Sequence, residues 1–398
     1  MIDMKILVVC QLYYPENVVI TNICEKLVEF GNDVTVLTGK PNYGYGHILK
    51  EYKNVKYEEH NGVKIHRVKL KARKKSRLSI IFNYLSFWKN SKRWVRKCKE
   101  KYDIVFSMSL SPVTILAAGN LYKKIHHVKH VVYCVDLWPE STLVTHAVKK
   151  NSLVYKLLYK WSRSLYSHAD KVIIGSPSFD QYFDDVLDLK QIPTTFIPQP
   201  SLIEESDIAP YDYKGGFNIL YCGNIGRIQL VELIPEAMKD IKDKNIKFHI
   251  IGMGPLTDKL LEEIKEYHLE DTVIYHGPII AKKAVAYFKS ADALYVSLNK
   301  EGFVGKTIPN KLVMYMVFNK PIIGMVDGDG RTILKESQGS FICEENPESL
   351  KEAILEVSKL NKEEKEKLGH NNRVYHQSHF SLNIVGKQIE QVLLDELR

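Results

Sequence analysis

Along this chain, short continuous apolar runs alternate with longer stretches whose apolar residues recur at helical spacing. Lys5-Ile-Leu-Val-Val-Cys10 is a run of the kind buried on both faces of a parallel sheet. Thr21 to Phe30 follows as a helical stretch closed by Gly31-Asn32, and Asp33-Val-Thr-Val-Leu-Thr38 reads as the next strand. Strand, helix, glycine stop and strand within about 35 residues make a βαβ unit with a right-handed crossover. Further strands are expected at Val63–Val68, Ile104–Met108, His130–Val135 and Lys171–Ile174, with helices between them, notably Leu153–Tyr166. The pattern breaks near Phe196-Ile-Pro-Gln-Pro200, and residues 201–216 are acidic, turn-rich and poor in strand formers, as a linker is. A second series then runs through Asn218–Cys222, Phe248–Ile251, Val273–Tyr275, Ala293–Ser297 and Pro321–Met325, ending near Phe341-Ile342-Cys343. The last amphipathic stretch, Leu382 to Leu397, reads as a helix that crosses back onto the first domain.

Two such series predict an α/β protein with two doubly wound, Rossmann-like domains facing across a cleft. The expected division is 1–200, a linker at 201–216, 217–378, and a C-terminal helix within 379–398. A length of 398 residues suits two domains rather than one core. Open α/β sheets bind ligands at the carboxyl ends of their strands, so two sheets suit a donor facing an acceptor. Hydrophobic residues at 45% and charged residues at 26% exclude a disordered chain. The six cysteines (Cys10, Cys24, Cys98, Cys134, Cys222, Cys343) stand singly, which argues for a reducing compartment and against a disulfide scaffold or zinc site. Met4-Lys5 leads directly into a strand, so no signal peptide is expected, and no run approaches the ~20 apolar residues that span a bilayer. The expectation is a cytoplasmic protein, attached at most to a membrane surface.

Two loops carry candidate chemistry. After the strand Asn218–Cys222 comes Gly223-Asn224-Ile225-Gly226-Arg227-Ile228-Gln229. Glycine there permits a sharp turn whose exposed N–H groups can hold phosphate oxygens, although any strand-helix turn uses glycine in the same way. After Ala293–Ser297 comes Glu301-Gly-Phe-Val-Gly-Lys306-Thr307-Ile-Pro309-Asn310-Lys311-Leu312. Pro309 suits a first helical turn with Thr307 as N-cap, and two lysines beside a helix start make a diphosphate clamp or, alternatively, ordinary surface lysines.

Tyr13-Tyr14-Pro15-Glu16-Asn17, Asp136-Leu137-Trp138-Pro139-Glu140-Ser141, the Tyr221–Gln229 loop, Thr307–Leu312 and Lys320-Pro321-Ile322-Ile323-Gly324 together resemble one set of enzymes. The chain is similar over nearly its whole length to glycosyltransferase family 4, of the GT-B fold, and within it to the N-acetyl-L-fucosamine transferases of bacterial O-antigen and capsule assembly. The resemblance implies a UDP-amino sugar donor in the C-terminal domain, an acceptor in the N-terminal one, no metal or other cofactor, and retention of anomeric configuration. On matching positions it implies that Gly223, Asn224, Gly226 and Arg227 flank the donor diphosphate, with Lys306, Thr307, Asn310 and Lys311 around the phosphates and ribose. The family's glutamate pair ahead of this turn is absent here; Met314 and Lys306 fall at its positions, and Glu301 does not restore it.

Asp136 follows directly on a strand and is the best candidate to meet an acceptor hydroxyl as base or positioner, with Glu140 second; the alternative is that Asp136 caps a helix begun at Pro139-Glu140. Glu16 and Asn17, after the first strand, are assigned to the acceptor side. Asp327-Gly-Asp329 looks like a metal-binding Asp-x-Asp but reads as a turn, and His126, His127 and His130 read as surface residues.

The net charge of +9 suits an anionic partner, and its distribution narrows the choice. From Lys64 to Lys99 there are fourteen Lys or Arg and no Asp or Glu. Within that segment Leu78, Ile81, Phe82, Leu85 and Trp88 follow helical spacing, widened by Ile80, Tyr84 and Phe87. An apolar-aromatic face bordered by Arg73, Lys74, Lys75, Arg77, Arg93 and others around Trp94 suits a helix lying in an anionic membrane interface; the alternative is a core face with a solvated rim. No nucleic-acid module accompanies the charge, so nucleic acid is not an expected partner. A polyprenyl-diphosphate-linked sugar acceptor, held at the inner face of the cell membrane, fits such a segment. The competing function is a UDP-N-acetylglucosamine 2-epimerase-like isomerase of the same architecture.

Overall fold

A computed structural model describes residues 4–74, 76–144, 148–201, 203 and 207–398. The chain divides into two compact units, Met1–Leu202 with Leu382–Arg398, and Ile203–Ser381. Unit 1 holds eight strands: β1 (Lys5–Val9), β2 (Asp33–Gly39), β3 (Tyr57–His60), β4 (Val63–Val68), β5 (Ile104–Ser109), β6 (Lys129–Cys134), β7 (Lys171–Ile174) and β8 (Thr194–Phe196). They form one sheet in the order β3-β4-β2-β1-β5-β6-β7-β8, parallel except for the β3–β4 pair. Unit 2 holds β9 (Phe217–Cys222), β10 (Ile246–Ile251), β11 (Val273–Gly277), β12 (Ala293–Ser297), β13 (Ile322–Met325) and β14 (Ser340–Ile342), in the order β11-β10-β9-β12-β13-β14. In both sheets the central strands are buried between helices, which is why their runs carry almost no polar residue.

The first helix, Val19–Glu29, lays Val19, Ile20, Ile23, Cys24 and Leu27 on the sheet at the spacing of one helical stripe. The final helix, Leu382–Leu397, packs beside it: Val385, Ile389 and Leu393 are fully buried in the same cluster as Ile20 and Ile23. At Gly386 a β-carbon would stand 2.8 Å from Lys26 Cγ, so glycine lets the two helices approach. Asn32 Nδ2 donates to Glu390 Oε1 at 2.6 Å across the same contact.

Two strands escape the apolar pattern. The β3 edge strand reads Tyr-Glu-Glu-His and is joined to β4 by Asn61-Gly62, both at positive φ (48° and 78°), the geometry of a tight hairpin turn. β8 is only three residues long. Of the segment read as a linker, residues 202 and 204–206 lie outside the described residues, while Tyr211 and Tyr213 pack onto unit 2: Tyr211 stacks on Tyr287 at 4.0 Å and Tyr213 sits 4.3 Å from His249. The surface reading of the three histidines fails at His130, which is completely buried on β6. Its Nδ1 stands 2.8 Å from Asn120 Oδ1 and its Nε2 2.8 Å from Ser107 Oγ, so two neighbouring elements satisfy the ring.

Candidate active site

In unit 2 the strand order reverses between β9, which leads to β10 and β11 on one side, and β12, which leads to β13 and β14 on the other. The loops leaving the carboxyl ends of β9 and β12 therefore stand at the topological switch point, where open sheets bind ligands. They are tied together by the Asn299 N–H, which donates to the Ile228 carbonyl at 2.8 Å.

At this point the structure brings Gly223, Asn224, Gly226 and Lys311 into one cluster. A β-carbon at Gly223 would stand 2.2 Å from Lys311 Cε, so only glycine leaves room for that side chain over the loop. Lys311 Nζ donates to the Tyr221 hydroxyl and lies 4.2 Å from the centre of its ring. Tyr315, one helical turn beyond Lys311, fixes the end of β9: its hydroxyl accepts from the Cys222 N–H at 2.9 Å and donates to the Cys222 carbonyl at 3.1 Å. Burial pushes the Lys311 ammonium down to about 8, with the Cys222 thiol acting weakly in the opposite direction. Among the described residues no carboxylate pairs with it. Asn224 Nδ2 donates to Gln229 Oε1 at 3.1 Å, closing the loop over Gly226, while Arg227 is exposed on a short turn.

The second loop departs from expectation in detail. Thr307 is not an N-cap: its hydroxyl donates back to the Val304 carbonyl at 2.8 Å, and the helix starts at Asn310 with Pro309 in the capping position. Lys306 and Thr307 lean on the turn at Gly328, where a β-carbon would stand 2.5 Å from the Lys306 carbonyl oxygen. Lys306 and Asn310 are exposed, and Lys306 Nζ lies 5.4 Å from the centre of the Phe303 ring. Met314 packs against the apolar core, so the position where the family carries a ribose-binding carboxylate is hydrophobic. Asp327 and Asp329 sit at the start of the helix Gly328–Ser337, in the turn expected of them.

The sequence reading missed a third strut. Gly252-Met253-Gly254 follows β10, and β-carbons there would stand 1.8 Å from the Gly223 carbonyl oxygen and 2.2 Å from that of Ile225. The Ile225 N–H donates to the Met253 carbonyl at 3.1 Å. The Gly-x-Gly after the neighbouring strand was the available signal.

Unit 1 reverses its order between β1 and β5. The loops after β1, β5 and β6 each contain a cis X–Pro bond, at Tyr14–Pro15, Ser111–Pro112 and Trp138–Pro139. Ser111, after β5, donates its hydroxyl to Asp136, after β6, and is 2.8 Å from the Ser141 hydroxyl. Burial raises Asp136 above the ordinary aspartate value, offset in part by the Ser111 hydroxyl and the Leu137 and Ser111 amides. Glu140 accepts from the Tyr155 hydroxyl. Glu16 is buried with its Oε1 accepting from the amides of Asn42 (2.8 Å) and Tyr43 (2.6 Å), so its carboxylate pins the loop after β2; Asn17 beside it is exposed.

The fold is similar over 98% of the chain to sucrose-phosphate synthase from Thermosynechococcus elongatus (TM-score 0.71, 17% identity, 98% of that chain). It is also similar to Anabaena HepE in complex with UDP-glucose (TM-score 0.69, 13% identity, covering 98% of this chain and all of that one). Residues 16–200 match the model of the glycosyl transferase 4-like domain, and residues 205–375 that of glycosyl transferases group 1. The chain carries a glycosyl transferase 4-like domain followed by a glycosyl transferases group 1 domain, in the two-domain GT-B fold. Both matches are to transferase models, which disfavours the isomerase alternative. Among curated relatives, the probable glycosyltransferase WbjE of Pseudomonas aeruginosa is 27% identical over 65% of this chain and 66% of its own length. The amylovoran biosynthesis glycosyltransferase AmsD of Erwinia amylovora is 22% identical over 57% of this chain and 58% of its own. The chain thus spans less than two thirds of the length of either relative.

In unit 1 the basic segment forms the helix Arg77–Lys97, with Ser76 capping it through the Ser79 N–H. Its core face is Asn83, Phe87, Ser91 and Val95, a four-residue repeat on the β1–β5 side of the sheet. Phe87, expected to face a membrane, is therefore fully buried, and Trp94 turns inward against His66 at 5.0 Å. Leu78, Ile81, Phe82 and Leu85 stay exposed, from 39% to 67%, so they are not the core face. Lys74, Arg77 and Arg93 are exposed, Arg73 lies 5.0 Å over the Tyr43 ring, and Lys75 lies outside the described residues. No helix among the described residues is long and apolar enough to cross a membrane.

Proposed function

We propose that this glycosyltransferase transfers an N-acetylated amino sugar, with N-acetyl-L-fucosamine the first candidate, from UDP to a polyprenyl-diphosphate-linked acceptor in bacterial capsule or O-antigen assembly. The observation that carries the donor side is Lys311, a desolvated ammonium without a carboxylate partner among the described residues, held at the switch point on glycine loops. A cation so placed is completed by an anionic ligand. The similar Anabaena HepE holds UDP-glucose, and a similar Escherichia coli structure holds UDP-2-fluoro glucose, which supports a nucleotide-sugar donor here.

In this reading the diphosphate lies against Gly223, Asn224, Gly226, Arg227 and Lys311, with Lys306, Thr307 and Asn310 towards the phosphates and ribose. As the anomeric C–O bond breaks, negative charge gathers on the departing diphosphate while the sugar becomes oxocarbenium-like. Fixed cations and amides aimed at that charge stabilise the transition state without a metal. Asp136 accepts or positions the proton of the acceptor hydroxyl, Glu140 supports it, and Glu16 and Asn17 line the acceptor side. The exposed apolar residues and cations of the helix Arg77–Lys97 bring the enzyme to the inner face of the membrane, where its acceptor is anchored. The name of the Erwinia relative, an amylovoran biosynthesis enzyme, supports a place in polysaccharide assembly.

A screen of UDP-amino sugars, read as UDP release with a lipid-linked acceptor, tests this reading. Release is expected only with acceptor present and to be fastest with an N-acetylated amino sugar. Conversion of the donor into a new UDP-sugar without acceptor would reject transfer in favour of isomerisation.

A further inference from the structure

A pocket of about 860 Å³ in unit 1 lies apart from the loops at the carboxyl ends of that unit's strands. Its walls come from the helices Arg77–Lys97, Leu116–His126 and Leu153–Tyr166 and from the start of β6, at the amino end of the strands. Two features define its chemistry. Trp88 and Trp161 meet edge to face in its wall, 6.2 Å between ring centres. Around them stand Lys92, Arg96 and Lys124, none of which pairs with a carboxylate among the described residues. Lys92 Nζ rests 3.5 Å over the Trp88 ring. The one acid in the wall, Asp170, is already neutralised by Lys123 at 2.7 Å and Lys129 at 3.6 Å. The pocket is therefore apolar at its tryptophans and cationic at its rim.

The two tryptophan-bearing helices share a polarity. On the first, exposed Leu78, Ile81, Phe82 and Leu85 precede Trp88, and the pocket-lining Lys92 and Arg96 follow it. On the second, exposed Leu153, Val154 and Leu157 (54% to 74%) precede Trp161, and pocket-lining Ser164 and Leu165 follow. Each helix thus runs from exposed apolar residues, through an interfacial tryptophan, to the pocket. Because both helices reach the pocket with the residues that follow their tryptophans, the two apolar ends that precede them lie on one side. This order matches the depth profile of a bilayer surface: acyl chains, aromatic belt, charged headgroups.

We infer that this pocket seats the phosphate-bearing headgroup of one anionic membrane lipid, its phosphate among Lys92, Arg96 and Lys124 and its glycerol backbone over Trp88 and Trp161. The inference rests on the membrane-surface reading above and makes the helix Leu153–Tyr166 a second, equal part of that surface.

Vesicle partitioning tests it with the full chain, using phosphatidylcholine alone or with phosphatidylglycerol. The triple variant Lys92→Gln/Arg96→Gln/Lys124→Gln is compared with an equal charge loss outside the pocket, Lys97→Gln/Lys99→Gln/Lys101→Gln. Far-UV circular dichroism and the chemical unfolding of unit 1 check that each variant is folded. At about fivefold per cation near an anionic surface, the pocket variant is expected to lose on the order of 100-fold in partitioning. It should also lose quenching of Trp88 and Trp161 by brominated lipid, assigned through Trp88→Phe and Trp161→Phe, whereas the control variant keeps the quenching. Equal losses in both triple variants would overturn the pocket and leave a diffuse basic surface, with membrane attachment intact. Saturable quenching by inorganic phosphate or glycerol 3-phosphate in the absence of vesicles, abolished in the pocket variant, would overturn the lipid as occupant in favour of a soluble anion. A native protein that ignores anionic vesicles would overturn both the pocket and the membrane reading, while the donor screen would still report transfer.

Discussion

Lys311 and Asp136 show one effect with opposite signs. Burial disfavours the charged form of each, lowering the lysine to about 8 and raising the aspartate above its usual value. For Lys311, the protonated form binds a diphosphate, so affinity for UDP is expected to fall as pH rises above about 8, by up to about tenfold per unit. Calorimetric titration across that range checks this, and Lys311→Ala should weaken UDP roughly tenfold or more and flatten the dependence. Unchanged affinity in that variant would remove Lys311 from the phosphate site. For Asp136, Asp136→Asn is expected to lower transfer by about 10²–10⁴-fold while UDP binding persists, as a lost general base does. Near-normal turnover would reject it as base. The residue types and loop positions of both were legible in the sequence, because strand ends at a switch point are where such groups collect. The support of Gly223 by Gly252 and Gly254 was not, since it depends on contact between loops about thirty residues apart whose closeness follows only from the pairing of β9 with β10.

At the scale of elements, the helix Arg77–Lys97 carries two apolar stripes, and periodicity alone could not say which one faces the core. The buried stripe contains two polar residues, Asn83 and Ser91, whose side chains are satisfied within the protein: Asn83 donates to Asn42 Oδ1, on the loop after β2, at 3.0 Å and Ser91 to the Phe87 carbonyl at 2.8 Å. Such polar interruptions hide a core face from a hydrophobic pattern, which is why Phe87 and Trp94 were assigned outward. Reversing Arg73, Lys74 and Arg77 to glutamate should reduce binding to anionic vesicles by one to two orders of magnitude, measured by co-sedimentation and relieved by salt. Unchanged binding would place the anchor elsewhere. The β3–β4 hairpin was readable from Asn61-Gly62, but its alternating charged edge strand gives no apolar run to notice.

For the whole molecule, the positions of twelve of the fourteen strands follow from the apolar runs, and only β3 and the three-residue β8 escaped. Buried polar groups on those strands, however, cannot be read from a pattern of apolar ones. His130 and His249, each driven to about 3 chiefly by burial, are examples. The unfolded chain takes up protons at these rings near pH 6.5 while the folded one does not, so stability is complete above that value and declines as pH falls towards 3. Each ring is expected to contribute up to about 1.4 kcal/mol per pH unit in that window, seen as a falling urea midpoint from pH 7 to pH 5. His130→Gln should lower stability at pH 7 and shallow the decline; an unaltered slope would assign the acid sensitivity to other groups.

The helix Leu382–Leu397 belongs to the core of unit 1 although the whole of unit 2 is made before it. Leu393→Ala is accordingly expected to cost about 2–5 kcal/mol in unit 1, measurable by chemical unfolding, while UDP binding in unit 2 is retained. During synthesis the first unit must wait with the apolar flank of Ile20 and Ile23 uncovered until the helix Leu382–Leu397 leaves the ribosome. Unit 2, continuous in sequence, can close earlier. A chain cut short by even one late stop codon would thus lose its beginning rather than its end.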